Sequence, residues 1–297
     1  MIQPPPGFAG RALTLADADD VVAMVNTCEL HDSGRVMLER ADLLSDMRTD
    51  GFDPDRDAVV VVDGERIVAW GIILHRRSRW ADVHPEARGR GIGTWLMRWS
   101  ESRCRDIGSP RIGQTIEDAR KDVAAMFTAD GYTPRRTSWV LRMDHSERPP
   151  EPELPPGVSL RQIRPDDEEE ALTMFEQAFS EFEDRLPSSL TTWRAMTIDR
   201  EGFTPDDLIL AVVDGRIVGG AFLIDSGEVW VDKLAVHRDH RHRGVARALL
   251  RTAFRRSFDR GYTHTSLSTD SNTGALALYE RVGMKVVESY THYALDL

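Results

Sequence analysis

Cysteine is scarce in this sequence. Cys28 and Cys104 are the only two in 297 residues, and neither belongs to a Cys-x-x-Cys pair. That excludes a disulfide scaffold and suits a reduced, cytoplasmic setting. No apolar run approaches the ~20 residues of a membrane span, so no membrane partner is expected. The opening MIQPPPGFAG has no basic segment followed by an apolar run, so no secretory leader is expected. Positive charge is not in excess either. Lys and Arg number 38 against 49 Asp and Glu, a net charge of -11, which argues against nucleic acid as a partner. An acidic balance mildly favours a cationic acceptor, although it also serves solubility alone. With 41% hydrophobic and 29% charged residues, the chain reads as a soluble globular protein of two ordinary domains.

Internal repetition organises what is present. VVDGERIVAWG from Val61 matches VVDGRIVGGA from Val212, and Gly131-Tyr132 matches Gly283-Met284. The offset stays close to 152 residues. The expected division is 1–146, a Pro-rich linker at 147–157, and 158–297. Prolines there cannot continue a helix or a central strand. In each half, a strand leads into one or two helices. Val-Val-Asp-Gly then turns tightly between two apolar strands. A fourth strand, a polar turn, a helix, a fifth strand, a short helix and closing strands follow.

The centre of this pattern is LAVHRDHRHRGVA, Leu234 to Ala246. Apolar strand (Leu234, Ala235, Val236) passes through a polar turn into a helix at Gly244. Arg241-His242-Arg243-Gly244-Val245-Ala246 thus places free backbone N–H groups and positive charge at a helix start. Glycine there permits close approach of a ligand to the main chain, as a pyrophosphate requires. The first half carries a second copy, Arg88-Gly89-Arg90-Gly91-Ile92-Gly93.

The strand before the second cradle holds an irregularity. Val229 and Val231 share one face, Leu234 and Val236 share one, and the two pairs have opposite parity. One inserted residue near Asp232-Lys233, a β-bulge, restores a single apolar face.

The cradle, followed by a strand, Asn272, a short helix through Tyr279 and then Gly283-Met284, resembles the GNAT superfamily of acyl-CoA-dependent N-acetyltransferases. The likeness covers nearly the whole chain, twice. Among duplicated members it is similar to the mycothiol synthase group, with LYERVGM and the ending SYTHYALDL as points of likeness. The resemblance implies an α/β fold of two tandem domains. Each would be a mixed, mostly antiparallel sheet with flanking helices and splayed central strands. It also implies acetyl-CoA as co-substrate, held by the cradle with Asn272 near the pantetheine, and direct transfer to a small-molecule amine. Asn272 can equally be read as a helix cap.

Amine attack on a thioester needs a base, an oxyanion donor and an acid for the leaving thiolate. Tyr279 is the expected acid: a phenol (pKa ~10) beside a thiol (~8.5) can deliver a proton to the thiolate. Where several members of the superfamily carry a Glu base, this chain has Trp230. Glu228 and Asp232 are the nearby candidates, and either can equally be an ordinary strand-edge charge. His237, His240 and His242 stand among Arg238, Arg241 and Arg243, whose charge opposes a cation, so no metal is expected.

In the first half the Tyr279 position is Phe127 and the Asn272 position is Arg120, while LAV becomes Ala81-Asp82-Val83. That half keeps a cradle and loses the proton donor. Either it retains a CoA-type ligand without chemistry, or it retains only the fold. For the whole chain, the expectation is an N-acetyltransferase with its chemistry in the second half. The alternatives are acetylation of a mycothiol precursor, or a non-catalytic acyl-CoA sensor.

Overall fold

The structure is a computed structural model that describes residues 3–34, 36–181, 187–225 and 227–297. In chain order the first elements are β1 (Ala9–Ala12), α1 (Ala18–Asp32), α2 (Arg40–Asp46), α3 (Pro54–Asp57), β2 (Ala58–Asp63), β3 (Arg66–Leu74), β4 (Ser78–Val83), α4 (Ile92–Asp106), β5 (Arg111–Glu117) and α5 (Lys121–Ala129). Then come β6 (Thr133–Asp144), β7 (Ser159–Gln162), α6 (Glu168–Phe179), α7 (Leu190–Met196), β8 (Leu208–Val213) and β9 (Arg216–Asp225). The chain continues with β10 (Val229–Val236), α8 (Val245–Asp259), β11 (His264–Asp270), α9 (Leu276–Arg281) and β12 (Lys285–Asp296). The acidic run at Asp166–Glu170 lies at the start of α6, entered through a 3-10 turn at Pro165–Asp167.

The chain divides into two compact units, residues 1–135 with 292–297, and residues 136–291. The Pro-rich segment at 147–157 therefore falls inside the second unit. The last six residues belong to the first, where Thr115 Oγ1 lies 3.2 Å from His292 Nδ1. β6 begins in the first unit and supplies the second with a strand antiparallel to β11, from Ser138↔Asp270 to Asp144↔His264. Apolar periodicity assigns a residue to a face but says nothing about which distant strand covers an edge.

Each unit is a sheet with a buried cluster on either face. In the first, Trp95, Leu96 and Trp99 of α4 pack against Val59, Val61 and Ala69, while Val21, Val25 and Cys28 of α1 meet Val60, Trp70 and Ile72. In the second, Leu249, Leu250 and Phe254 of α8 pack with Val218, Val231 and Leu267, and Met174 and Phe175 of α6 meet Leu210 and Phe222. The alternation of small and β-branched residues on these strands builds both faces at once. The β8–β9 hairpin turns on Asp214 (φ 49) and Gly215 (φ 79), the left-handed pair that matches strand twist.

Candidate active site

The second unit's site begins with a strand defect. β10 pairs antiparallel with β9, but Val231 faces Leu223 and Lys233 faces Phe222, so Asp232 is the extra residue. The bulge puts Val229, Val231 and Val236 in one buried cluster, with Leu234 packed against it. On its other side β10 runs parallel to β11 only at Val229↔Thr265, Trp230↔Ser266 and Val231↔Leu267. Beyond these positions the two strands continue, to Val236 and Asp270, without pairing with each other, while β10 stays paired with β9 and β11 with β6. A wedge opens between them, and main-chain groups of β10 along it lack a strand partner.

A cavity of about 1350 Å³ fills this wedge and extends over the cradle. Asp232, Leu234, Ala235, Val236, the whole of Arg241 to Ala246, and Tyr279 line it. Tyr279 is 7% exposed. Burial pushes its phenol up to about 12, so it stays protonated at neutral pH.

The cradle is built by main-chain geometry. Gly244 is the N-cap of α8 at φ 90, in the left-handed region that glycine occupies without strain. The first intrahelical bond runs from Ala248 N to Gly244 O at 3.0 Å, which leaves the N–H groups of Val245, Ala246 and Arg247 ahead of the ladder. No acidic residue stands in this first turn. Arg241 braces the loop: Nε donates to Val236 O (3.1 Å), Nη2 to Ala178 O (3.0 Å) and Nη1 to Glu181 Oε2 (2.7 Å).

Glu228 and Asn272 do not join the lining. Glu228 accepts from the Ser266 hydroxyl and lies 3.0 Å from His264 Nε2. Asn272 is exposed, and its N–H donates to Asp270 Oδ1 at 2.9 Å. The Thr273 hydroxyl, not the Asn272 side chain, caps the turn by accepting from Ala275 N (3.2 Å). Asp232 pairs with Lys233, and both face the cavity.

The lining also includes residues that sequence reasoning missed: Arg136 and Ser138 of β6, Ser268 to Asp270 of β11, and Arg247 of α8. Arg247 was readable as the third residue of a helix that starts on a ligand loop. Arg136 and Ser138 carried no signal, because only the β6–β11 pairing brings them here. Among the described residues no three or more His, Cys, Asp or Glu side chains gather to hold a metal ion.

The first unit keeps the loop in another state. Gly91 (φ 86) caps α4, Gly89 is also left-handed (φ 74), Ile92 is buried, and Gly93 is the second helical residue. Arg88 Nε donates to Val83 O (3.0 Å), and its fork grips Asp32 at 2.7 and 2.8 Å. Arg120 bonds the same carboxylate, tying the end of α1 to the turn after β5. Arg90 stacks on Phe8 at 4.1 Å and lies 3.5 Å from Asp63.

Both halves of the chain, residues 19–132 and 168–284, match the Acetyltransferase (GNAT) family. The chain belongs to that family, and it is an acyltransferase by that membership. A mycothiol acetyltransferase of Thermomonospora curvata is 32% identical, over 72% of this chain and 70% of the relative. That of Pseudarthrobacter chlorophenolicus is 29% identical, over 83% and 77%. Among solved structures, a GCN5-related N-acetyltransferase from Sphaerobacter thermophilus is 32% identical with a TM-score of 0.78, covering 99% of this chain and 97% of that one. A tandem GNAT protein from the clavulanic acid biosynthesis pathway is 18% identical with a TM-score of 0.73, covering 97% and 98%, a likeness of fold. No helix among the described residues is long and apolar enough to cross a membrane.

Proposed function

We propose that the second unit transfers an acetyl group from acetyl-CoA directly to the amine of a small molecule. The observation that carries this reading is one cavity shared by the cradle, the open edge of β10 and the buried hydroxyl of Tyr279. In this reading the N–H groups of Val245, Ala246 and Arg247 hold the pyrophosphate, with Gly244 giving room. The acyl arm lies along Leu234, Ala235 and Val236; Ala235 is bonded to Gly220 of β9, and the N–H groups of Leu234 and Val236, which point the other way, can receive a carbonyl and the oxyanion that develops from it. Tyr279, protonated at working pH, donates to the departing thiolate. Of the two acids considered as base, Asp232 faces the cavity and Glu228 is engaged elsewhere, so Asp232 takes the amine proton, directly or through water. Asn272 has no assigned contact.

The first unit, with Phe127 in place of a proton donor, takes no part in the chemistry. A mycothiol precursor is the favoured candidate among acceptors, because the relatives at 29–32% identity are named for mycothiol acetylation. Thiol release from acetyl-CoA, measured across a panel of amines that includes such a precursor, tests both statements. Release with one amine class identifies the acceptor. Tight CoA binding with no release for any amine would replace transfer by acyl-CoA sensing.

A further inference from the structure

The residue inserted into β10 does more than open the wedge. In a regular strand, consecutive side chains point to opposite faces. Asp232 and Lys233 are consecutive, yet Lys233 Nζ donates to Asp232 Oδ2 and both residues line the cavity. The bulge allows this, because Asp232 has no partner in β9 while Lys233 faces Phe222. The Lys233 ammonium lies 5.2 Å from the centre of the Phe222 ring. Phe222 packs with Phe175 of α6, whereas Tyr279 packs with Leu249 and Leu250 of α8. The ion pair and the proposed acid therefore stand on opposite faces of the sheet at one wedge. A thioester held there has the acid on its thiol side, and the ion pair on the side left for an amine.

Lys233 is also unusual in kind. Of the 38 Lys and Arg residues only three are lysine, Lys121, Lys233 and Lys285. Lys121 and Lys285 are exposed, while Lys233 is half-buried against Phe222. Where this chain braces a loop it uses arginine, whose planar fork holds several acceptors at once, as Arg241 and Arg88 do. An ammonium on a flexible stem is a point charge that can turn from one oxygen to another. The first unit supplies the contrast. Through the registers of β3 and β9, Trp80 opposite Ile72 stands where Lys233 stands opposite Phe222, and Asp232 has no counterpart. Trp80 lies 6.2 Å from Trp70, so aromatic rings take the place of the pair in the unit read as non-catalytic.

We infer that Lys233 is a specificity-determining residue, which selects acceptors whose amine lies one carbon away from a carbonyl or carboxylate group: amino acids and their aminoacyl derivatives. This rests on the transfer reading above and names its acceptor class. Such a molecule matches the pair in charge and in spacing. Its ammonium takes the place of Lys233 on Asp232, and its oxygen takes the place of Asp232 on Lys233. An amine without that oxygen would part the pair and leave Lys233 half-buried with nothing in exchange. Once bound, the ammonium gives one proton to solvent. As the N–C bond forms and the C–S bond breaks, the amine's surplus proton passes to Asp232 and that of Tyr279 to the thiolate. Asp232 then returns its proton through solvent to the phenolate.

The test uses the full chain with acetyl-CoA and three small acceptors, glycinamide, glycine and ethylamine, with rates referred to the concentration of free amine. Wild type is expected to use glycinamide or glycine with a kcat/KM about 10- to 100-fold above that for ethylamine, the worth of one charge-assisted hydrogen bond. Preference for glycinamide marks an acylated amino acid as the acceptor and preference for glycine a free one, and either supports the assignment. Lys233→Met keeps the apolar stem on Phe222 and removes the ammonium. In that variant the ratio should fall towards one through the KM for the acceptor, while the KM for acetyl-CoA holds. Ethylamine used as well as both others by wild type would overturn the role of Lys233 and leave transfer intact, and this arm decides even if the variant does not fold. A folded Lys233→Met with the wild-type ratio would overturn it too. No thiol release with any amine, alongside CoA binding, would overturn the transfer reading and the acceptor class with it.

Discussion

In the first unit β4 pairs with β3 without a break, from Ser78↔Leu74 to Val83↔Ala69. In the second, β10 carries one more residue, Asp232, and opens away from β11. Aligned by these registers, Val231 corresponds to Arg79. Arg79 is 4% exposed and spans the sheet interior: Nε donates to Gln114 (2.8 Å), Nη1 to Ser100 Oγ (2.8 Å) and to the Tyr132 hydroxyl (3.3 Å). Its guanidinium lies 4.8 Å from the Phe127 ring, the position equivalent to Tyr279. β4 meets β5 only at Ser78↔Gly113, so the first unit's strands diverge too, and there the side chains of Arg79, Phe127 and Tyr132 pack together between them. Strand divergence is common to both units, and what differs is the residue inserted at Asp232 and the side chain at the neighbouring position, Arg79 in one unit and Val231 in the other.

The comparison is most exposed to a matched pair of substitutions. Gly244→Glu and Gly91→Glu both force a residue into left-handed backbone, at φ 90 and φ 86. The strain is alike, about 1–3 kcal/mol each. Only Gly244→Glu adds a carboxylate where the proposed pyrophosphate lies. Its Kd for acetyl-CoA should rise by more than about 100-fold, while Gly91→Glu keeps affinity and turnover. Comparable loss of turnover in Gly91→Glu would place chemistry in the first unit.

Tyr279→Phe makes the second unit resemble the first at its central residue. The ring and its packing stay, and acetyl-CoA affinity should hardly change. Turnover should fall by about 10²- to 10⁴-fold, the usual worth of a positioned general acid. Because the phenol is pushed up to about 12, its loss of the proton lies above the ordinary assay range. The wild-type rate should therefore show no fall assignable to Tyr279 below about pH 10. Normal turnover in the variant would make Tyr279 a packing residue.

Much of this was legible in the sequence where the signal was local. The parity switch between Val231 and Leu234 located the bulge, and Arg-x-x-Gly before an amphipathic run located the cradle. The roles of charged side chains were less legible. Arg241 reads as a phosphate cation, yet it braces the loop against Glu181, 60 residues earlier, as Arg88 does against Asp32. Arg79 looks like an ordinary polar strand residue, because its partners Ser100, Gln114 and Tyr132 meet only in three dimensions. The strand supplied by β6 and the closing role of residues 292–297 follow from pairing between distant segments, which periodicity cannot encode.

The smallest expected effect separates the units by pH. Asp82 in β4 stands where β10 has Ala235, and its carboxyl accepts a hydrogen bond from Trp70 Nε1 at 3.0 Å. Burial, helped by the charges of Glu29 and Asp32, pushes it up from 3.8 to about 6. Between those values the folded protein holds a proton that the unfolded chain has released. Stability linked to this group is complete below pH 3.8 and is lost as pH rises towards 6. Above that the carboxylate is a fixed cost to the first unit. Asp82→Asn keeps the Trp70 hydrogen bond and removes the titration. At pH 7 the variant should be more stable by about 1 kcal/mol, a figure discounted for the solvent that reaches the site. The advantage should shrink to nothing near pH 4. Asp17 and Asp32, held low by their arginines, titrate with the opposite sign. The informative quantity is therefore the difference between variant and wild type in denaturant unfolding at a series of pH values. A difference that does not vary with pH would mean that Asp82 acts through packing alone. A turnover unaffected by the substitution would keep its influence within the first unit.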